Sequence, residues 1–325
     1  MGAEALYPLK FTPIFKDYLW GGTKLKEVLG KDVTTPTAAE SWELSGVDGN
    51  VSIVAEGTLK GKSLQDLLEV YGEDLLGKQV FERFGPKFPI LIKFIDAEKD
   101  LSVQLHPGDE LAKARHNSFG KTEMWHVMQA EKDAELIVGF NKSLTREEYV
   151  KAMEEGKLLS ILNRQKVASG DTFFISPGKV HAIGAGILLA EIQQTSNVTY
   201  RIYDYDRKDK DGNTRELHTD LALDALDYDL RNDFHMQYAT DENRLNPMVK
   251  SPYFITDYLH LTDRVDIDVE QRDSFHIYIC TEGESVFTVN GKDHTLHMGE
   301  TLLMPACIDK YSIRSEHAKI LEVHL

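Results

Sequence analysis

Residues 166–183 read KVASGDTFFISPGKVHAI, and residues 295–313 read TLHMGETLLMPACIDKYSI. Both run Gly–acidic–Thr, then a short apolar-leaning stretch, a proline and a turn. They look like one jelly-roll element used twice, which predicts a mainly β chain with two β-domains in tandem. The remaining sequence agrees. Short β-rich runs alternate with Gly, Asn and Asp turns: NVSIVAEGTL, FPILIKFIDA, DLSVQLHP, AELIVGF, GILLAEIQQ and VTYRIYDYD. Many short strands at regular spacing point to a sandwich or barrel and away from a parallel sheet. In the second copy, Asn290-Gly291 between alternating runs is a hairpin signal.

Helices are few. SLTREEYVKAMEEGKLLSIL is the clearest, with Thr145 and Glu148 spaced as a capping box. SLQDLLEVYGEDLLG from Ser63 and TDLALDALDYDLR from Thr219 are two more. The polar stretch ATDENRLNPMVKS, 239–251, is the best linker, so the expected domains are 1–240 and 241–325.

The chain has 325 residues, 42% hydrophobic, and only two cysteines, Cys280 and Cys307. Two are too few for a disulfide framework, and reduced thiols in a cytoplasmic protein are expected. The N-terminus MGAEALYPLKF carries no secretory or myristoylation pattern, and no apolar run is long enough to span a membrane. A net charge of −16 argues against a nucleic-acid partner, because phosphate backbones are held mainly by Lys and Arg. An anionic small substrate would need a local basic pocket set against that field.

Strand parity singles out a cluster of polar side chains. In a strand over Leu101–His106, Ser102, Gln104 and His106 share one face, and Val103 and Leu105 the other. In GKTEMWHVM, Lys121, Glu123 and Trp125 share a face, which places His126 opposite Glu123 and excludes it as a ligand beside it. In FFISPGKVHAIG, the Pro177-Gly178 turn would return His181 toward the strand carrying His106. Taken singly these are ordinary residues. A lone histidine in an apolar run is more often a satisfied core residue, and Glu123 alone would be half of an ion pair with Lys121. In combination, two imidazoles, a carboxylate and an amide oxygen suit zinc, with nickel, manganese, cobalt or iron also accommodated. Arg201 lies mid-strand and needs an anionic partner, either Asp204 or Asp206 or a substrate oxygen. Lys93, inside FPILIKFIDA, poses the same question, with an ion pair favoured.

These residues sit in a larger pattern. LWGG at Leu19, AESWELSG at Ala39, FPILIKFIDAEKDLSVQLHPGD, GKTEMWHVM, ISPGKVHAIGAG and EIQQTSNVTYRIYDYDR occur in the order found in type I mannose-6-phosphate isomerases, and the chain resembles that family. The resemblance implies tandem cupin jelly-roll domains with a few helices, the second one metal-free. It implies one zinc ion per chain on Gln104, His106, Glu123 and His181. It makes Arg201 the active-site arginine and places Lys121 and Ser102 in the substrate pocket, with Lys121 and Arg201 in catalytic roles. The implied reaction interconverts mannose 6-phosphate and fructose 6-phosphate through an enediol. The alternatives are another metal-dependent sugar isomerase or epimerase, an oxygenase, or a non-catalytic sugar-phosphate sensor. Two departures stand out. Larger members insert a helical domain between the Glu and second His ligands, whereas this chain has one ordinary helix there. Some members also carry an aspartate four residues before the arginine, where this chain has Asn197. Metal ligation also commits Glu123, so the proton carrier must be another group, with metal-bound water or hydroxide, Lys121 or a further histidine all open.

Overall fold

The structure, a computed structural model, describes residues 5–209 and 211–325. The first four residues of the N-terminal stretch read above lie outside the described residues.

Two antiparallel sheets close the first barrel. One orders its strands as 235–236, 172–175, 123–130, 187–194, 90–97, 40–44 and 14–16, and the other as 162–166, 135–140, 181–183, 103–105 and 200–203. The strands Ile90–Ala97 and Ile187–Gln194 are buried along their whole length, because both of their faces are covered. Ile95, Trp125, Val127, Ile175 and Leu189 from one sheet meet Leu136, Val138 and Ile183 from the other inside the barrel. Ile90, Ile92 and Phe94 point the opposite way, into a cluster shared with Phe254, Phe275, Ile277 and Val323 of the C-terminal region. The second sheet turns Val103, Leu105, Ile137, Tyr200 and Ile202 outward, where Tyr149 and Ala152 of the helix Arg146–Glu154 cover them.

That helix starts at the predicted capping box: Thr145 accepts from the Glu148 N–H, and the Glu148 carboxylate accepts from the Thr145 N–H. The stretch after Ser63 forms two short helices, Leu64–Tyr71 and Glu73–Leu76, broken at Gly72 with φ +43°. The third helix is shorter than its sequence suggests, covering only Thr219–Leu223. Beyond it the backbone turns back, the Asp227 N–H donating to the Gly178 carbonyl.

An eight-stranded array from Leu245 to His324 forms the second jelly roll. Its hairpin turns at Asn290-Gly291, both with positive φ. The linker reading of 239–251 needs correction: Leu245–Lys250 is a strand paired with Ile255–Leu261. Met248 and Val249 are buried in the shared cluster, which outweighs the polar composition around them. The two halves are joined more closely than a linker would require, since Leu9 pairs with Leu303 through two backbone hydrogen bonds. Cys280 is buried, Cys307 is exposed, and both are free thiols. No described helix is long and apolar enough to cross a membrane.

Candidate metal centre and its cavity

The interior of the first barrel ends in charge. Along the strand Glu123–Ala130, Trp125 and Val127 belong to the apolar interior, and Glu123 continues their face one step further. His181 continues the face of Ile183 in the same way, and register places it across from Gln104, which itself faces Arg201 on its other side. His106, Glu123 and His181 each retain about 1% exposure, and one ligand atom from each lies within 4.8 Å of the others.

Ring orientation shows what the cluster is arranged to hold. His106 Nδ1 lies 2.9 Å from the Val198 carbonyl, and His181 Nδ1 lies 2.8 Å from the Lys179 carbonyl. A carbonyl only accepts, so each Nδ1 carries the proton and each Nε2 carries a lone pair. Those lone pairs face Glu123: His106 Nε2 is 3.2 Å from Oε1 and His181 Nε2 is 3.7 Å from Oε2. His181 Nε2 and Glu123 Oε2 have no hydrogen-bond partner. Electron-rich atoms facing one another in a buried site call for a cation between them. Two imidazole nitrogens and a carboxylate within 4.8 Å of one another are a donor set that suits a divalent ion. Burial and the nearby Lys121 charge push the His106 pKa down to about 4, and burial lowers that of His181. Both imidazoles are therefore neutral and able to ligate. Burial would raise the Glu123 pKa, but the Lys121 ammonium, 2.7 Å away, reverses this and holds the carboxylate ionised.

Above this floor opens a cavity of about 450 Å³. Ser102, Gln104, Lys121, Trp125, His181, Asn197 and Arg201 line it, so the residues picked out by parity do converge. Ser102 donates to the Gln104 amide oxygen at 3.2 Å and accepts from Arg201 Nε at 3.3 Å. The two carboxylates considered as partners for Arg201 leave it free. Asp204 is bound by Arg207 and Arg215, and no ion pair to Arg201 occurs among the described residues. Its remaining contact is Nη1 to the Glu216 carbonyl at 2.9 Å. Burial and the Arg215 charge lower its pKa. His126 lies on the other side of the sheet, against Tyr238 and Tyr258, with Nδ1 on Thr172 Oγ1.

Lys93 follows its ion-pair reading. Its ammonium is 3.0 Å from Glu191 and 3.7 Å from Glu40. Burial alone would lower its pKa, but these two carboxylates raise it. Glu191, Glu40, Tyr18, Trp20 and Arg215 also line the cavity, and the motif-by-motif reading did not assign them. Glu191 was within reach of parity. It is the charged residue in GILLAEIQQ, sharing a face with Leu189, and register sets it between Lys93 and Trp125. Trp125 Nε1 donates to it at 2.9 Å. Arg215 offered no such signal, because a loop brings it back to the cavity.

Comparison with known proteins agrees with this geometry. The family profile "Phosphomannose isomerase type I, catalytic domain" matches residues 8–142, and "Mannose-6-phosphate isomerase, cupin domain" matches residues 246–325. Mannose-6-phosphate isomerase ManA of Bacillus subtilis is 35% identical over 98% of this chain and 99% of its own length. The chain belongs to the type I mannose-6-phosphate isomerase family. The probable mannose-6-phosphate isomerase GmuF of the same organism is 33% identical over 94% of this chain and 96% of its own. Family membership extends to the fold. The crystal structure of the Bacillus subtilis mannose 6-phosphate isomerase superposes with a TM-score of 0.88 at 30% identity, covering 98% of this chain and 99% of that one. Between Glu123 and His181 this family member carries a single α-helix, Arg146–Glu154.

Proposed function

We propose that this chain is a zinc-dependent aldose–ketose isomerase that interconverts mannose 6-phosphate and fructose 6-phosphate through an enediol, with one catalytic ion per chain. The observation that carries the reading is the pairing of two features in one cavity. Lone pairs of His106, His181 and Glu123 converge at its floor, and Arg201 stands in its wall without a carboxylate partner. Gln104, beside His181 in register, completes the ligand set.

Isomerisation moves a proton between C1 and C2 and develops negative charge on the sugar oxygens. A divalent ion held by these four residues would supply Lewis-acid stabilisation of that charge. The chain's own groups do the rest. Arg201, oriented by Ser102 and by the Glu216 carbonyl, presents fixed N–H donors to an anionic substrate oxygen. Lys121 sits between Glu123 and His106, at 2.7 and 3.2 Å. It places a second positive charge where the enediol oxygens would lie. Trp125 and Trp20 form apolar wall that limits water around the reacting carbons. Glu123 is committed to the ion, so the proton falls to another group. Glu191, buried on the same sheet face and held by Trp125 and Lys93, is the carboxylate we assign to it.

A coupled assay with mannose 6-phosphate as substrate and fructose 6-phosphate as the detected product tests the activity. Turnover should vanish after exhaustive chelation and return with zinc. His106→Ala should lose bound metal and activity together. Full activity in chelated protein would exclude the metal route, and no product from zinc-loaded protein would leave a sugar-phosphate-binding role.

A further inference from the structure

The second barrel ends as the first one does. Along the strand His276–Val289, Tyr278 and Cys280 face the apolar interior of the C-terminal jelly roll, and His276 continues their face outward. Along the closing strand Ala318–His324, Ile320 faces the same interior, and Glu322 and His324 continue from it. The result is a His–Glu–His cluster where the apolar filling stops, as His106, Glu123 and His181 do in the first barrel. His276 and Glu322 are 0% exposed and His324 is 6% exposed. One ligand atom from each lies within 4.8 Å of the others. Glu322 Oε1 contacts His276 Nδ1, and Oε2 is 3.2 Å from His324 Nδ1.

The repeated segment 295–313 does not reveal this cluster, because it is built from other strands. Its surroundings are also acidic. Asp257, cross-strand from Glu322, adds a second buried carboxylate. The nearest guanidinium, Arg272, lies 3.3 Å from Glu322 and 3.9 Å from Asp257, on a side chain about a third exposed. His276 Nε2 is buried without a hydrogen-bond partner. Glu322 is engaged by both imidazoles and by Arg272, which leaves buried Asp257 and the orphaned His276 Nε2 as the groups a bound cation would serve.

We propose that His276, Glu322 and His324 form a second divalent transition-metal site, structural in role and suited by its donors to zinc. Both imidazoles meet Glu322 through Nδ1, so to ligate there in neutral form each ring gives up its Nδ1 proton and takes one up at Nε2 by way of solvent. Arg272 is exposed enough to swing aside. The bound ion would tie the strand carrying His276 to the closing strand, far in sequence from the catalytic cluster.

The test uses the full chain loaded with zinc, desalted, and measured for metal by plasma emission. Wild type should hold two equivalents. The double variant His106→Ala/His181→Ala should hold one, and cobalt in its place should give the visible absorption of a four- or five-coordinate ion. Adding His276→Gln and His324→Gln should remove that last equivalent and abolish the rise in Tm that zinc gives the double variant. A single equivalent in wild type overturns the proposal, and this reading needs no variant to fold. One equivalent that survives the added substitutions also overturns it, by placing the ion elsewhere.

Discussion

At the scale of the residue, side chains a few ångströms apart in one cavity differ in what their loss should do. Arg201 touches neither His106 nor Glu123, so Arg201→Ala should leave the metal in place while lowering kcat/KM by at least about 10²-fold. That is the scale of removing a charge-stabilising donor from a reacting centre. Metal content and kinetics on the same preparation check it, and near-normal turnover would rule out its catalytic role. Glu191→Gln keeps the Trp125 hydrogen bond and the shape of the wall but removes the base. Turnover and exchange of the C2 hydrogen with solvent should then fall together by 10²-fold or more, within the usual range for general acid–base catalysis. If exchange persists while turnover falls, Glu191 only positions Lys93 and the proton moves elsewhere.

At the scale of the element, the longest strand of the C-terminal jelly roll is bulged. Cys280 and Glu282 bracket a register shift in the long strand His276–Val289, and Gly283 follows with φ +73°. A Cβ there would lie 2.1 Å from the His317 carbonyl oxygen, so both the backbone conformation and the close approach require glycine. Gly139 has a similar φ of +77° but open space around it. Gly139→Ala should therefore cost about 1 kcal/mol from the left-handed backbone alone. Gly283→Ala should cost at least about 2 kcal/mol more, because backbone must move. Denaturant titration of the two variants side by side checks the difference, and equal losses would show that the strand yields without cost.

At the scale of the whole molecule, His126 reports on the packing between the two barrels. It sits in the seven-stranded sheet of the first and meets Tyr258 of the second. Burial, reinforced by the Lys319 charge, pushes its pKa down to about 4. An unfolded chain would titrate it near 6.5. The folded value is depressed, so the unfolded state binds the extra proton between those limits. The associated stability is present above about pH 6.5 and is lost as pH falls toward 4, by up to about 3 kcal/mol. His126→Gln should flatten that part of the stability–pH curve relative to wild type. Parallel curves for the two proteins would mean that the imidazole charges freely where it is.

Much of this was legible in sequence because strands impose a period of two. Parity over SVQLH and KTEMWHV sorted Gln104, His106, Lys121 and Glu123 from His126. The turn at Pro177-Gly178 does lead His181 to a place beside Gln104, but by crossing from one sheet to the other and not by a hairpin, since strands 172–175 and 181–183 do not pair. Residues that reach the cavity from elsewhere were harder to read. Arg215 arrives on a loop with no periodic signal. Glu191 looked like one more position in an apolar run, because its strand is covered on both faces and shows no alternation of polar and apolar residues. The stretch 239–251 looked like a linker because a strand with Asn246 and Pro247 in it carries little apolar signal, although Met248 and Val249 are core.

By itself, the sequence determined the tandem jelly rolls, the capping box at Thr145, the turn at Asn290-Gly291 and the cluster of residues that face the first site. These follow from local spacing, which the backbone converts directly into direction. Only the tertiary structure decided which nitrogen of His106 and His181 is free, that Asp204 belongs to Arg207 and Arg215 and leaves Arg201 available, and that His276 meets Glu322 and His324. Those facts depend on partners distant in sequence, and burial fixes them because a polar atom shut away from water must find its partner within the fold.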